Sequence, residues 1–157
     1  MKRLIQLCFA MIISFLPGIF GVFFTPHGES DLWYNLLVKS SLTPSGVVFG
    51  AAWTILYALR GFALFLIMKS ARGKSEKIFA YILFGSQMLL NAGWSYLFFG
   101  LHMTAFALIV LLCLFIVSAW MARVFYGIDR RAMLLVIPYL LWLMFAFYMN
   151  AYIVLMN

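Results

Sequence analysis

Five stretches of this sequence, each about 20 residues long and almost free of charge, run roughly from Leu4 to Phe24, Gly46 to Met68, Ile78 to Phe99, Thr104 to Tyr126 and Ala132 to Met156. A helix needs about 20 apolar residues to cross the hydrocarbon core of a bilayer, and in lipid only helices and closed barrels satisfy their own backbone polar groups. The expectation is an all-α fold, an integral membrane bundle of five transmembrane helices. Little lies between the runs, so residues 1–157 read as a single domain without a linker or a separate soluble unit. Composition agrees: 67% hydrophobic and 10% charged residues, with a mean hydropathy of +1.08, leave too few charges to coat a soluble domain of 157 residues.

The first run follows Lys2 and Arg3 and so resembles the start of a secretory signal. It is longer than a signal core, and no small-x-small cleavage site follows it, so it is read as a retained helix. Pro17 and Gly18 within it are tolerable in a membrane helix, where neighbours re-satisfy the freed backbone. With the N-terminus in the cytoplasm, the inner side receives Lys2, Arg3, Lys69, Arg72, Lys74, Lys77, Arg123, Arg130 and Arg131, and the outer side only Lys39. That asymmetry predicts a multi-pass membrane protein with its N-terminus in the cytoplasm and Asn157 outside. Attraction to an anionic inner leaflet accounts for the net charge of +7 without a nucleic-acid partner.

Several chemistries are disfavoured. Cys8 and Cys113 fall within the first and fourth runs with no metal or redox motif beside them and read as small apolar fillers. His27 and His102 lie in outer loops with no spaced ligand cluster, so neither a metal nor another cofactor is expected. No phosphate-cradling glycine loop and no Ser-His-Asp arrangement can be assembled, which argues against phosphoryl transfer and hydrolysis.

The polar residues inside the runs are ordered. Positions three, four or seven apart share a helix face. Trp53, Tyr57 and Arg60 form one stripe; Gln87, Asn91, Trp94 and Phe98 a second; Tyr139, Trp142, Ala146 and Asn150 a third, beginning beside Pro138. One such stripe is explained by helix packing with a hydrogen bond or two. Three together point to a shared pocket for a flat amphipathic ligand, because amides and indoles in hydrocarbon need partners. At about 1.5 Å per residue the pocket falls in the outer half of the bundle, beneath the loop from Thr25 to Ser45. Arg60 lies deeper, with no Asp or Glu in any run to pair with it. Two readings stay open for it: meeting a ligand carboxylate or stacking on an aromatic ring, or packing with bonds to backbone carbonyls and water.

The loop and second run read Trp33, Tyr34, Leu37, Lys39, Pro44, Phe49, Trp53, Leu56, Tyr57; the third carries Gln87, Asn91, Trp94, Phe98, Phe99, Gly100; the fifth carries Pro138, Tyr139, Trp142, Ala146, Asn150. Together these resemble the TspO/MBR family of tryptophan-rich sensory and translocator proteins over nearly the whole chain. The resemblance implies a five-helix bundle, often dimeric, that binds porphyrins such as protoporphyrin IX and benzodiazepine or isoquinoline-type ligands. It assigns Trp53, Asn91, Trp142 and Ala146 to the pocket wall and Tyr34, Lys39 and Pro44 to a lid loop, with Trp33, Phe49, Tyr57, Gln87, Trp94, Phe98, Tyr139 and Asn150 completing the ligand-binding set. Trp53 and Trp142 also match tryptophans implicated in light-dependent porphyrin degradation, the catalytic role if that activity is present. The sequence departs from the family at Ser40 and Ser45, where proline is frequent, and at Leu42, where an aromatic is; a less stiff loop is expected. No Lys or Arg follows Tyr152, so the cholesterol-recognition pattern is missing and a bacterial-type member is expected.

Three functional classes follow: a porphyrin-binding sensor, which is preferred; a carrier of porphyrin or lipid-like molecules; and a porphyrin-degrading enzyme. Five helices without paired inverted repeats argue modestly against the carrier. For a homodimer, Ser14/Gly18, Gly46/Gly50 and Ser118/Ala122 are three small-xxx-small pairs that serve equally between chains or within one bundle.

Overall fold

The computed structural model describes residues 1–25 and 32–157; His27 lies outside them. Among the described residues six α-helices follow in order: α1 (Lys2–Val22), α2 (Leu32–Leu36), α3 (Gly46–Lys69), α4 (Lys74–Ser95), α5 (Thr104–Ile128) and α6 (Arg130–Met156), with a π-helical turn, Tyr96–Gly100, continuing α4. The described residues contain no strand, so the all-α expectation holds.

Helices α1, α3, α5 and α6 are long and apolar enough to cross a membrane. Helix α4 has the length, at 22 residues, but Ser86, Gln87, Asn91 and Ser95 dilute its apolar character. Outside faces remain apolar: Ile12, Leu16, Ile109, Ile116, Trp120, Leu141 and Met144 are all exposed. Helices apolar on both faces belong in lipid. Cys8 and Cys113 lie on this outer surface and fill no core space.

The five long helices close into a ring, α1 on α3, α3 on α6, α6 on α5, α5 on α4, and α4 on α1, so that the consecutive helices α3 and α4 face each other across the centre. One end of the ring carries Lys2, Arg3, Lys69, Lys74, Arg130 and Arg131 and is called the basic end; the other carries α2 and the loop before α3. Close approach of α1 and α3 depends on glycine. A methyl group at Gly61 would meet Met11 Sδ at 2.7 Å and the Met11 Cα at 3.2 Å, and one at Gly18 would overlap the Tyr57 ring. Ser14 then donates from Oγ to the Tyr57 carbonyl at 2.7 Å.

Two of the three small-residue pairs are consequently used inside the bundle. Ser14 and Ser118 are fully buried, Ala122 nearly so, and Gly18 abuts Tyr57. Gly46 and Gly50 stay on the surface, where a methyl group added at either would meet nothing within 4 Å.

Candidate functional site

The ring interior is polar at its centre. Arg60 on α3 is fully buried and donates from Nη1 to Gln87 Oε1 on α4, with a long contact of 3.5 Å from Nη2 to the Ser14 carbonyl on α1. Its guanidinium lies 4.3 Å from the ring centroid of Tyr139 and 4.9 Å from that of Tyr57. Gln87 Oε1 also accepts from the Tyr139 hydroxyl at 3.3 Å. Asn91, one turn further along α4, donates to that hydroxyl at 3.4 Å and accepts from the Tyr57 hydroxyl at 3.1 Å. The three sequence stripes thus meet as a chain of hydrogen bonds, and the cation is dispersed over an amide and two π faces, the arrangement that lowers the cost of a charge out of water. Arg60 thus stacks on two aromatic rings and contacts one backbone carbonyl, which joins a part of each reading left open for it.

Toward the loop end the interior becomes aromatic. Trp53 lies 5.4 Å from Tyr57, 6.1 Å from Tyr139 and 6.4 Å from Trp142, the last nearly perpendicular at 84°. Phe49 sits 6.0 Å from both Trp53 and Trp142. The perpendicular and tilted geometries are those the ring quadrupole favours. Trp53, Asn91 and Ala146 are buried, whereas Trp142 and Phe49 are partly exposed. Of the expected wall residues, Trp53 and Trp142 pack directly on each other, while Asn91 bonds to Tyr57 and Tyr139. The indole Nε1 of Trp142 is buried yet has no hydrogen-bond partner among the described residues.

A second aromatic group holds the π-helical turn. Trp94 stacks on Phe98 at 5.3 Å and donates from Nε1 to Asn150 Oδ1 at 3.1 Å, and Asn150 donates in turn to the Thr104 carbonyl at 2.9 Å. Trp94 and Asn150 are thereby engaged in tying α4 to α5 and α6. A model of the TspO/MBR family matches residues 9–156. The chain belongs to the TspO/MBR family. It is 37% identical to the Tryptophan-rich protein TspO of Chlorobaculum tepidum, over 99% of this chain and 98% of that one. To its counterpart of the same name in Archaeoglobus fulgidus it is 32% identical, over 99% of each chain. To the human Translocator protein it is 34% identical, over 79% of this chain and 74% of that one.

In this TspO/MBR protein side chains tether the loop at Ser40, one of the positions where a less stiff chain is expected. Ser40 is buried, 3.0 Å from the Tyr148 hydroxyl on α6, and its carbonyl accepts the Thr43 amide at 2.9 Å in a tight turn. The last residue adds a second tie: Asn157 Oδ1 accepts the Val38 amide at 2.9 Å while Nδ2 donates to the Val38 carbonyl at 3.2 Å. Lys39 curls back so that its ammonium donates to the Tyr34 carbonyl and lies 4.6 Å from the Tyr34 ring. Burial pushes the Tyr34 phenol above its ordinary pKa. Trp33 stacks on His102 at 3.9 Å with the rings 9° apart, and packs against Phe98. Pro44 precedes α3 and is half-buried.

Sequence spacing marks Ser14 only as half of a small-residue pair with Gly18, not for the bond it makes to the Tyr57 carbonyl, and it does not single out Tyr148 or Asn157, whose loop contacts join residues more than a hundred positions apart. His102, named from the sequence only as an outer-loop residue, adopts a positive φ of 56°, and histidine is among the few non-glycine residues enriched there. No group of residues suited to a metal occurs among the described residues.

Proposed function

We propose that this chain is a membrane sensor that takes up a flat amphipathic tetrapyrrole, such as protoporphyrin IX, between Phe49, Trp53 and Trp142. The observation that carries this reading is the buried Trp142 indole N–H without a partner, on a ring whose centroid lies 6.4 Å from that of Trp53. Leaving such a donor unpaired costs about 1–3 kcal/mol, and an acceptor on the ligand offsets that. A tetrapyrrole combines edge carboxylates and ring nitrogens with a broad π face on which indoles stack. Since the wall residues now touch, the ligand enters by displacing the two partly exposed rings, Phe49 and Trp142. Benzodiazepine and isoquinoline-type ligands, smaller but also flat, suit the same walls.

In this reading α4 is the fifth span, its amides turned to the ring centre where lipid never reaches them. The basic end faces the cytoplasm of a bacterial cell and Asn157 the outside, a reading supported by the clustering of Lys and Arg. The assembly is a homodimer, and the Gly46/Gly50 pair is the one of the three left exposed for it.

The test is an absorbance titration of the purified protein with protoporphyrin IX, in the dark and under illumination. A spectral shift with tryptophan quenching and no product supports the sensor. The adjacency of Trp53 and Trp142, two oxidisable rings beside a photoexcited macrocycle, favours degradation as the second reading; light-dependent product lost in Trp142→Phe establishes it. Porphyrin flux into proteoliposomes would favour the carrier, and an unchanged spectrum ends all three.

A further inference from the structure

At the basic end, remote from the aromatic walls, a groove of about 480 Å³ opens between α3 and α6. That volume is in the range of small-molecule sites. Its floor is apolar, with Phe62 and Leu66 from α3 and Leu134 and Leu135 from α6, and its mouth carries Lys69 and Arg131. The two cations are level with each other, Lys69 being the last residue of α3 and Arg131 the second of α6. From Lys69 to Phe62 the groove descends about 10 Å along the helix. Polar mouth and apolar floor are therefore stacked along the axis of the bundle in the order in which a phospholipid stacks its headgroup and acyl chain.

We propose that this groove is a binding site for one anionic phospholipid, its phosphate between Lys69 and Arg131 and the upper part of an acyl chain against Phe62, Leu66 and Leu134. Charge complementarity selects the anionic class. Arg131 is already held by Asp129, through Nε at 3.2 Å and Nη2 at 3.0 Å. This partly neutralises the exposed guanidinium and leaves its Nη1 donors for the phosphate, while Lys69 supplies the uncompensated charge. A zwitterionic lipid brings its own cation to the same mouth and meets repulsion there. The site is independent of the tetrapyrrole reading, since it shares no residue with it.

The full chain in detergent, titrated with dioleoylphosphatidylglycerol or dioleoylphosphatidylcholine and weighed intact by native mass spectrometry, tests the proposal. One phosphatidylglycerol should be retained per chain under conditions that strip phosphatidylcholine. Lys69→Gln should weaken retention about fivefold, from roughly 1 kcal/mol per cation at a membrane surface. Leu134→Trp should weaken it by filling the groove with no change in charge. Asp129→Asn, which keeps a good N-cap residue, should tighten it by freeing a second cation. Equal retention of the two lipids overturns the proposal, as does an equal loss in Lys74→Gln, whose side chain lies outside the groove. Competition by inorganic phosphate with no effect of Leu134→Trp would mean a headgroup-only site and overturns it too.

Discussion

Gln87 holds Arg60 across the ring, amide oxygen to guanidinium, and no carboxylate takes part: the described acids, Glu76 and Asp129, both sit at the basic end. The charge and its partner are unequal in what their removal costs. Arg60→Met takes away both the cation and its desolvation and is expected to leave thermal stability within about 1 kcal/mol of the parent or to raise it. Gln87→Leu strands the buried cation and is expected to cost about 3 kcal/mol. Unfolding midpoints in one detergent compare the two, and the double variant should recover most of the Gln87→Leu loss. If Arg60→Met is the more damaging, the charge itself organises the ring.

Close packing of α1 on α3 gives a second expectation. Gly61→Ala drives a methyl into Met11 and should cost about 1–3 kcal/mol. Gly50→Ala meets nothing and replaces glycine in a helix, which favours it by about 0.5–1 kcal/mol. Opposite shifts in melting temperature in the monomeric detergent-solubilised protein are the readout.

Tethering of the loop through Ser40 and Tyr148 should be visible in exchange. Ser40→Ala and Tyr148→Phe each remove one member of a hydrogen bond with a net value of about 1 kcal/mol. Amide hydrogen exchange over residues 37–43 should accelerate about fivefold in either variant, with that of α5 unchanged. Acceleration spread evenly over the chain would instead mean general destabilisation.

Asp129 links stability to acid pH. Its side chain caps α6 through the Arg131 amide and pairs with the Arg131 guanidinium, and the hydrogen bond from Arg131 holds its carboxyl below the ordinary 3.8. A depressed folded pKa contributes stability that is complete above the unfolded value and lost as pH falls through the folded one. The stability gap between wild type and Asp129→Ala should therefore be constant from neutral pH to about 5 and close below 4, within the range where the carboxyl protonates. A gap that persists there would mean that Asp129 acts through packing.

Affinity for the proposed ligand should respond to the aromatic walls. Trp142→Phe keeps a ring but loses the indole N–H and part of the stacking face. A two- to tenfold weaker protoporphyrin IX titration is expected, on about 0.5–1.5 kcal/mol for an aromatic contact. An affinity unaltered in both Trp53→Phe and Trp142→Phe would place the ligand elsewhere.

The helical bounds were legible because lipid imposes a length and a composition, and the runs beginning at Gly46 and Thr104 start at the same residue in sequence and structure. The stripes were legible too, since helical spacing alone puts Gln87, Asn91 and Trp94 on one face. The sequence also sets Trp53 and Trp142 apart as wall residues, but not the partners: Trp94 is fastened to Asn150 while Trp53 faces Trp142. Spacing along one helix says nothing about which residue of another helix lies opposite.

By itself the sequence determined an all-helical chain for lipid, with cations gathered at one end and three polar-aromatic stripes to bury, because bilayer thickness and helical periodicity act on local residues. Only the tertiary structure decided that α4 closes the ring against α1 and α5, so that α3 and α4, neighbours in sequence, oppose each other across its centre. That placement pairs Arg60 with Gln87, brings Trp53 within 6.4 Å of Trp142 and opens the groove between Lys69 and Arg131. Each of these joins residues far apart in the chain, and their meeting depends on which helix faces pack, a choice set by shape and hydrogen bonding across the whole bundle.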